Sequence, residues 1–281
     1  MIYLDSFTFP DEDAEWGHRM GVQRTCYNTM YPFGVLTKAG LKRLDFAPIT
    51  ILCGGNGSGK TTALNIIAEK LRLTRSAPFN RSSFYEDYLR LCSYALEEKV
   101  PPESRVVTSD DVFDYMLNLR AINEGVDRER EGLFDDYLRA RQTRVVVKSL
   151  DDYEALKKQN EARRKTQSAF VREQSNGESA TFYFRQQIGM DALYVLDEPE
   201  NSLSAKGQIE LKDYLEETAR YMGCQLIIST HSPFLLAMRG AKIYDLDARP
   251  ATIRRWTEVQ NVRACRDFFL AHEKEFAPDN E

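Results

Sequence analysis

The stretch that decides the fold is Gly54-Gly55-Asn56-Gly57-Ser58-Gly59-Lys60-Thr61-Thr62. It contains the complete pattern G-x-x-x-x-G-K-S/T of a phosphate-binding loop. The apolar run Ile49–Cys53 precedes it, and the stretch 62–70 that follows has the composition of a helix. A strand before the loop and a helix after it form the context in which this pattern binds nucleotides. The alternative is a glycine-rich turn without a nucleotide, which this context disfavours.

Each residue type in the loop has a chemical reason to be there. The glycines let backbone N–H groups close around a phosphate, and the start of the following helix adds a positive dipole end. Lys60 is long enough to reach the β- and γ-phosphate oxygens, and the Thr61 hydroxyl can bind Mg²⁺. The whole loop from Gly54 to Thr62 is therefore the predicted binding site for the phosphates of a nucleotide.

Composition restricts the class of protein. The 281 residues, 42% of them apolar, can form one large α/β domain or a core domain with a lid. A balance of 38 basic and 43 acidic residues gives a net charge of −5, which provides no general attraction to nucleic acid or anionic membranes. The five cysteines have no disulfide or zinc-site spacing, and no run of about 18 apolar residues occurs. We expect a cytoplasmic protein without a membrane span.

Strand-like and helical stretches alternate in the second half of the chain. A helical stretch at 178–188 is followed by an apolar strand at 192–196, a helix at 204–222 and a strand at 224–230. This alternation predicts an α/β fold with a mostly parallel sheet covered on both faces. We predict a nucleotide-binding core formed by residues 1–70 and 175–281. Residues 71–174, which include a charge-dense stretch, are predicted to form a mainly helical lid inserted into that core.

Two carboxylates follow the predicted strand at 192–196. A buried strand that ends in Asp197 and Glu198 would deliver both acids at its carboxyl end, beside the phosphate loop. Asp197 is predicted to hold Mg²⁺, through a water molecule. Glu198 is predicted to position or deprotonate the attacking water, a task that needs its own carboxylate. The alternative is a strand that simply ends in an acidic turn.

Two further segments are candidate parts of the same site. Ser175, Asn176 and Gly177 begin a predicted helix, where their short polar groups can meet an anion at the helix N-terminus. Taken alone, such a segment is a helix cap. His231 follows the apolar strand that ends in Ser229 and Thr230. A lone histidine is more often structural, and only its position at a strand end favours a functional role.

At this point the chain resembles the ATP-binding cassette ATPases, in particular the branch that contains SMC, RecF and the ATPase domains of the overcoming-lysogenization-defect proteins. The motifs that match, in the order of that family, are the Walker A loop at Gly54 to Thr62, the signature at Ser175-Asn176-Gly177-Glu178, the Walker B strand at Leu193 to Glu198, the D-loop at Asn201-Ser202-Leu203-Ser204, and the histidine switch at Ser229-Thr230-His231-Ser232-Pro233. Glu178 in the signature and Ser-Pro after the histidine look more like the SMC and RecF branch than like transporter subunits.

The resemblance implies a fold, two ligands and a partner. The fold is a P-loop NTPase core of the ATP-binding cassette type, and the ligands are ATP and Mg²⁺. In that family the signature serine completes the ATP site of a second subunit. Ser175 would therefore contact the γ-phosphate bound at Lys60 of the other protomer, which implies an ATP-dependent homodimer.

One expected residue of the family is absent. The family has a glutamine between the loop helix and the lid, whereas the first glutamine after Thr62 is Gln142. The junction instead contains Ser109, Asp110 and Asp111. One of these could replace the contact to Mg²⁺ or water. The alternative, at least equally favoured by the sequence, is that they cap a helix, with Ser109 as the N-cap.

Two other groups of side chains have both a functional and a structural interpretation. Tyr27, Tyr31 and Phe33 precede the loop and could stack on adenine, although core packing is the commoner role of such residues. A basic cluster between residues 157 and 172 is interleaved with acidic residues. A solvated helix explains it more simply than a surface for DNA or a partner protein.

The sequence as a whole favours an ATP-hydrolysing switch that dimerises around two Mg·ATP and transmits motion through its lid. By family analogy alone, the switch would serve DNA metabolism or a genome-defence complex, with DNA or a partner protein bound by the lid. The alternative is a detached transporter-type ATPase subunit that docks on a membrane or other protein partner.

Overall fold

Six of the nine strands that the structure describes form one central sheet. The structure is a computed structural model and describes residues 1–21, 29–118, 176–201 and 203–276. The strands of the two sheets are β1 (Leu4–Thr8), β2 (Arg43–Asp45), β3 (Ile49–Cys53), β4 (Ser93–Leu96), β5 (Arg105–Thr108), β6 (Leu193–Asp197), β7 (Gln225–Ser229), β8 (Lys242–Asp245) and β9 (Thr252–Arg254).

The central sheet is mostly parallel. Strands β5, β6, β7, β3 and β8 pair in parallel, and β9 pairs antiparallel with β8 at the edge. All residues of β3 and β7 are buried, as expected for strands whose two faces are both covered. The predicted α/β class and mostly parallel sheet are confirmed.

Helices cover both faces of this sheet. The helices lie at Glu12–Gly21, Lys60–Leu71, Tyr85–Leu91, 109–118, Asn176–Gln187, Ala205–Tyr221, Pro233–Leu236 and Gln260–Ala271, with 3₁₀ turns at Trp256–Glu258 and Glu273–Phe276. Because side chains alternate along a strand, Val195 packs in one core cluster and Leu196 in the other. The helix Lys60–Leu71 contributes to the first cluster, and Asn176–Gln187 and Ala205–Tyr221 contribute to the second. No described helix is both long and apolar enough to cross a membrane.

A second, antiparallel sheet of three strands has the order β2-β1-β4 and shares the first core cluster. Gln225, the first residue of β7, ties it to the central sheet. Its buried side-chain oxygen accepts hydrogen bonds from the backbone N–H groups of Tyr3 and Leu4, both at 2.9 Å.

The structure moves one predicted boundary. The lid was expected to begin at residue 71, yet β4 pairs with β1 and β5 pairs with β6. Val112 and Met116 of the helix 109–118 are also buried in the second core cluster. The predicted start of the lid is therefore wrong, because the core extends at least to residue 118. The rest of the predicted lid, 119–174, lies outside the described residues.

Candidate active site

The carboxyl ends of three neighbouring strands bring the candidate residues together. Strand β7 lies between β3, which leads into the phosphate loop, and β6, which ends in Asp197. Ser229 at the end of β7 is in register with Leu52 on one side and with Asp197 on the other. Residues that follow these strands must therefore meet at one edge of the sheet, where parallel α/β folds bind their ligands.

The phosphate loop adopts a conformation that requires glycine. Gly57 and Gly59 have φ angles of 80° and 99°. These values lie in the left-handed region, which side chains with a Cβ rarely adopt. Gly59 is also the N-cap of the helix Lys60–Leu71, so the loop leads directly into a helix N-terminus. At Gly54, an added Cβ would lie 2.7 Å from the Ser58 hydroxyl, so the loop is closely packed on its inner side.

Asp247 holds the start of the loop from outside. Both of its carboxylate oxygens lie 2.9 Å from the backbone nitrogen of Gly55, which donates to them. The neighbouring Asp245 forms an ion pair with Arg254 at 3.1 Å. These two carboxylates are thus engaged by protein groups, and the loop is anchored to the end of β8.

Lys60 is held inside the loop. Its ammonium group donates hydrogen bonds to the carbonyl oxygens of Gly54 and Gly55, at 2.8 and 3.1 Å, and lies 3.6 Å from a carboxylate oxygen of Glu198. The side chain is only 4% exposed. A buried cation surrounded by carbonyls and one carboxylate is placed to interact with an anionic ligand in the loop.

Thr61 and Asp197 form an oxygen pair beside the loop. The Thr61 hydroxyl donates to Asp197 Oδ1 at 3.1 Å, and the Ser229 hydroxyl donates to the same oxygen. Burial raises the pKa of the Asp197 carboxyl above its usual range, and the two hydroxyl groups act in the opposite direction. This pairing places a carboxylate and a hydroxyl where Mg²⁺ would find its preferred oxygen ligands.

Glu198 occupies a strained position at the end of β6. Its φ of 48° is in the left-handed region, and such strain is concentrated at functional sites. Its backbone N–H donates to the carbonyl and to the hydroxyl oxygen of Ser229, both at 3.1 Å. Its carboxylate accepts a hydrogen bond from the Asn201 side chain at 3.1 Å. The backbone contacts fix the turn, and the carboxylate is left partly open to solvent.

His231 joins the same cluster from the end of β7. Its Nδ1 lies 3.9 Å from a carboxylate oxygen of Glu198 and 3.5 Å from one of Glu200. The Asn261 side chain donates to the His231 carbonyl, so the N-terminal end of the helix Gln260–Ala271 contacts this segment. A cavity of about 590 Å³ adjoins it, lined in part by Gly54, Asn56 and Asn261.

The arrangement fits the binding of ATP with Mg²⁺. The Ser58 hydroxyl is buried without a hydrogen-bond partner inside the loop, and the helix N-terminus behind it supplies free backbone N–H groups. Thr61 and Asp197 would hold Mg²⁺. Among the described residues no group of three His, Cys, Asp or Glu could hold a metal ion by itself. Mg²⁺ keeps several waters and is held by one or two protein ligands plus phosphate oxygens, and the oxygen pair of Thr61 and Asp197 fits that role.

Some predicted contacts are not found or lie elsewhere. Ser175 lies outside the described residues, whereas Gly177 belongs to the helix Asn176–Gln187, which packs on the sheet. Of the two roles considered for Phe33, the structure shows the favoured one, core packing, because its ring is buried, stacked on His18 and in edge contact with Tyr88. The Tyr31 hydroxyl donates to Thr62 at 3.2 Å. Tyr27 lies outside the described residues.

The junction that lacks the expected glutamine is used for helix capping. Asp111 accepts hydrogen bonds from the N–H and the hydroxyl of Thr108, and its own N–H donates to the Thr108 hydroxyl. Its other oxygen accepts the N–H of Ala77 at 2.9 Å. Thr108, and not Ser109 as predicted, therefore caps the helix 109–118, because the reciprocal Thr108 and Asp111 bonds satisfy its first N–H groups.

Sequence reasoning missed two residues of the site. Ser229 contacts both Asp197 and Glu198, and Glu200 contacts His231. Both residues lie within motifs that were recognised in the sequence. Their position inside these motifs was therefore the signal that could have identified them as site residues. The contacts themselves depend on the register of β6 against β7, which the sequence does not specify.

The left-handed conformation of Gly59 gives a stability prediction. Gly59→Ala is expected to destabilise the protein by about 1–3 kcal/mol, because alanine is strained there and its Cβ would lie 3.1 Å from Leu36. Urea unfolding measures the change. The matched control is Gly17→Ala in the helix Glu12–Gly21, where a Cβ meets nothing within 4 Å. That variant should be stabilised by about 0.5–1 kcal/mol. Equal effects of the two changes would contradict the loop geometry.

One family model matches part of the chain. Residues 172–237 match a family model described as "AAA domain, putative AbiEii toxin, Type IV TA system". The matched segment runs through the signature, Walker B, D-loop and switch motifs. No curated protein sequence matches the chain.

Solved structures with a similar fold include SMC heads and a transporter ATPase. The Smc head domain of Pyrococcus furiosus, bound to the C-terminal domain of ScpA, is 13% identical over 82% of this chain and 95% of that one, with a TM-score of 0.40. The SMC head domain of Thermotoga maritima is 13% identical over 87% and 94%, with a TM-score of 0.39. A dimeric bacterial ABC transporter cassette is 15% identical over 74% and 87%, with a TM-score of 0.36.

The family match, the phosphate loop and the parallel sheet agree with the resemblance seen in the sequence. Similarity to the overcoming-lysogenization-defect proteins within that branch stays a prediction. Over residues 172–237 the chain is similar to the AAA-domain family of that model, and its phosphate loop and mostly parallel sheet have the features of a nucleotide-binding α/β fold.

Proposed function

We propose that this protein binds ATP with Mg²⁺ and hydrolyses it to ADP and phosphate. The observation that carries the proposal is the meeting of Lys60, Asp197 and Glu198 at one edge of the sheet, beside a closed phosphate loop. The ammonium of Lys60 lies 3.6 Å from the Glu198 carboxylate, and the Thr61 hydroxyl lies 3.1 Å from the Asp197 carboxylate. A cation, a metal-binding pair and a separate base are the parts that phosphoryl transfer to water requires.

Each side chain has one task in this mechanism. Lys60 and the backbone N–H groups of the loop bind and orient the β- and γ-phosphates. Thr61 and Asp197 would hold Mg²⁺, which would supply positive charge to offset that of the phosphate oxygens. Glu198 accepts the proton of the attacking water. His231 donates a hydrogen bond at the γ-phosphate and is a second catalytic residue.

We propose further that two protomers enclose the ATP in a head-to-tail dimer. In one protomer the site is open, since the side chains of Glu198 and His231 are 24% and 48% exposed. A protein hydrolyses ATP faster when bulk water is excluded from the site and the hydrogen-bond donors around the phosphates are fixed in position. Ser175 and Gly177 of a second protomer would close the site over the γ-phosphate bound at Lys60, and hydrolysis would let the dimer open.

The rate of hydrolysis at increasing protein concentration tests this function. The purified protein with Mg·ATP should release phosphate, and the rate per protomer should rise with protein concentration until dimers predominate. A protein that releases no phosphate would refute the ATPase. A rate per protomer that stays constant while the oligomeric state changes would refute the composite site and leave the ATPase.

The biological role that we favour is DNA metabolism or genome defence, within the cytoplasm. The description of the matching family names a toxin of a type IV toxin–antitoxin system, which agrees with a defence role. The alternative, a detached transporter-type subunit, would require co-purification with a membrane partner.

Net charge gives a prediction for DNA. With a net charge of −5, the free protein should bind duplex DNA weakly at physiological salt, with a Kd of about 10⁻⁶ M or weaker. Stronger binding should require ATP, which would bring two lids together. Fluorescence anisotropy with labelled duplex DNA, with and without ATP, measures both states. Tight binding without nucleotide that resists added salt would contradict this prediction.

A further inference from the structure

Glu200 is a buried carboxylate next to the proposed site. The residue is 4% exposed. Its Oε1 accepts hydrogen bonds from the Thr230 hydroxyl at 2.6 Å and from the backbone N–H of His231 at 2.9 Å. Its Oε2 is buried without a hydrogen-bond partner among the described residues. Oε1 thus accepts hydrogen bonds from Thr230 and His231, whereas Oε2 accepts none from the described residues.

A buried carboxylate with an unsatisfied oxygen is costly and needs a reason. Burial of a charge is tolerated when a cation pairs with it. Among the described residues no lysine or arginine forms an ion pair with Glu200, and the ionisable nitrogen that approaches it is His231 Nδ1, at 3.5 Å. A structural role alone would be served by a neutral side chain that accepts the same two hydrogen bonds. This nitrogen lies beside Oε1, the oxygen that already accepts the two hydrogen bonds, so Oε1 faces both the backbone and the ring of His231 while Oε2 stays unsatisfied.

Glu200 also belongs to the turn that carries Glu198. This turn is closed by backbone hydrogen bonds from Asn201 to Glu198 and from Leu203 to Glu200, at 3.2 and 2.9 Å. Pro199 between the two carboxylates restricts the backbone further. Glu200 lies in the same turn as Glu198 and is hydrogen-bonded to His231. The distance between Glu198 and His231 therefore depends on the contact that Glu200 makes.

We infer that Glu200 is a positioning residue that holds His231 in the orientation needed for catalysis. It fixes the backbone of His231 through one hydrogen bond and faces Nδ1 of the ring, which leaves Nε2 as the nitrogen available to the γ-phosphate. In this arrangement a carboxylate orients a histidine that acts on the substrate, and the carboxylate itself does not touch the substrate. This inference rests on the proposed ATPase function.

A double-mutant cycle separates this role from a structural one. Glu200→Gln keeps an oxygen acceptor for Thr230 and for the His231 N–H but removes the charge beside Nδ1. It should lower kcat about 10- to 100-fold with little change in KM for ATP, as losses of orienting partners do. His231→Ala should lower kcat at least as much. The double variant should be no slower than His231→Ala, because residues that act as a unit are not additive.

Glu216 provides the matched control. It is also a buried carboxylate; it lies on the helix Ala205–Tyr221, away from the site, and accepts hydrogen bonds from the backbone N–H and the side chain of Arg239. Glu216→Gln should lower the Tm, leave kcat unchanged and show no coupling to His231→Ala. If Glu200→Gln loses its fold by circular dichroism, the same cycle with Glu200→Asp, which shortens the side chain and withdraws it from Nδ1, decides the question.

The outcomes distinguish this inference from the function on which it rests. If the wild-type protein hydrolyses ATP and the effects of the Glu200 and His231 substitutions on kcat are not additive, the positioning role is supported. Independent effects that multiply in the double variant, with wild-type hydrolysis intact, overturn the positioning role alone. A wild-type protein that does not hydrolyse ATP overturns the proposed function and this inference together.

Discussion

Glu198→Gln is expected to slow ATP hydrolysis by about 10²- to 10⁴-fold, while ATP and Mg²⁺ stay bound. The amide keeps the shape of the carboxylate and can still accept the hydrogen bond from Asn201. It has no oxygen basic enough to take a proton from water. Asp197, the metal-binding carboxylate, is unchanged, so the affinity for Mg·ATP should be close to that of the wild type.

Single-turnover hydrolysis and equilibrium binding of ATP measure these two effects separately. The matched control is Glu210→Gln, which changes a half-exposed carboxylate paired with Lys206. This control should hydrolyse ATP at the wild-type rate. A Glu198→Gln protein with normal turnover would refute Glu198 as the base, and one that no longer binds ATP would mean that the carboxylate serves the metal.

Lys60→Ala is expected to lower the rate of hydrolysis by about 100-fold or more and to weaken ATP binding. Lys60 is the cation enclosed by the loop, and its removal takes away the positive side chain that would bind the β- and γ-phosphates. The carbonyls of Gly54 and Gly55 lose their donor, but Lys60 belongs to neither of the two core clusters. The fold should therefore persist, which far-ultraviolet circular dichroism checks.

Lys212 is the matched control for Lys60. It is a lysine with an 18% exposed side chain, paired with Asp213 and Glu216 on the helix Ala205–Tyr221. Lys212→Ala should alter stability and leave ATP binding unchanged. Wild-type turnover in purified Lys60→Ala protein would contradict the assignment of the loop.

Much of the site could be predicted because its residues lie in short local motifs. The loop pattern, the strand before it and the helix after it specify their own conformation, and the helix Lys60–Leu71 follows within two residues of the predicted start. Asp197 and His231 were found because each follows an apolar strand, and parallel strands end at the same edge of a sheet. What was predicted depended on neighbours in the sequence.

The parts that were missed depend on residues far apart in the chain. Strand β4 directly follows the helix Tyr85–Leu91, and it pairs with β1, which lies more than 80 residues earlier in the chain. Its four residues are exposed, so no apolar alternation marks it as a strand. The burial of Phe33 and the contact of Glu200 with His231 likewise arise from packing between distant segments, on which a local pattern carries no information.

The central claim, that ATP is enclosed between two protomers and hydrolysed there, is tested most directly by light scattering of two variants with Mg·ATP. Glu198→Gln should form a stable dimer, because a site that cannot hydrolyse ATP cannot reopen. Glu198→Gln combined with Ser175→Arg should bind ATP and stay monomeric, since in the proposed dimer Ser175 would face the γ-phosphate bound by the partner and a bulky side chain there would prevent closure. A double variant that dimerises as well as the single one would contradict the account.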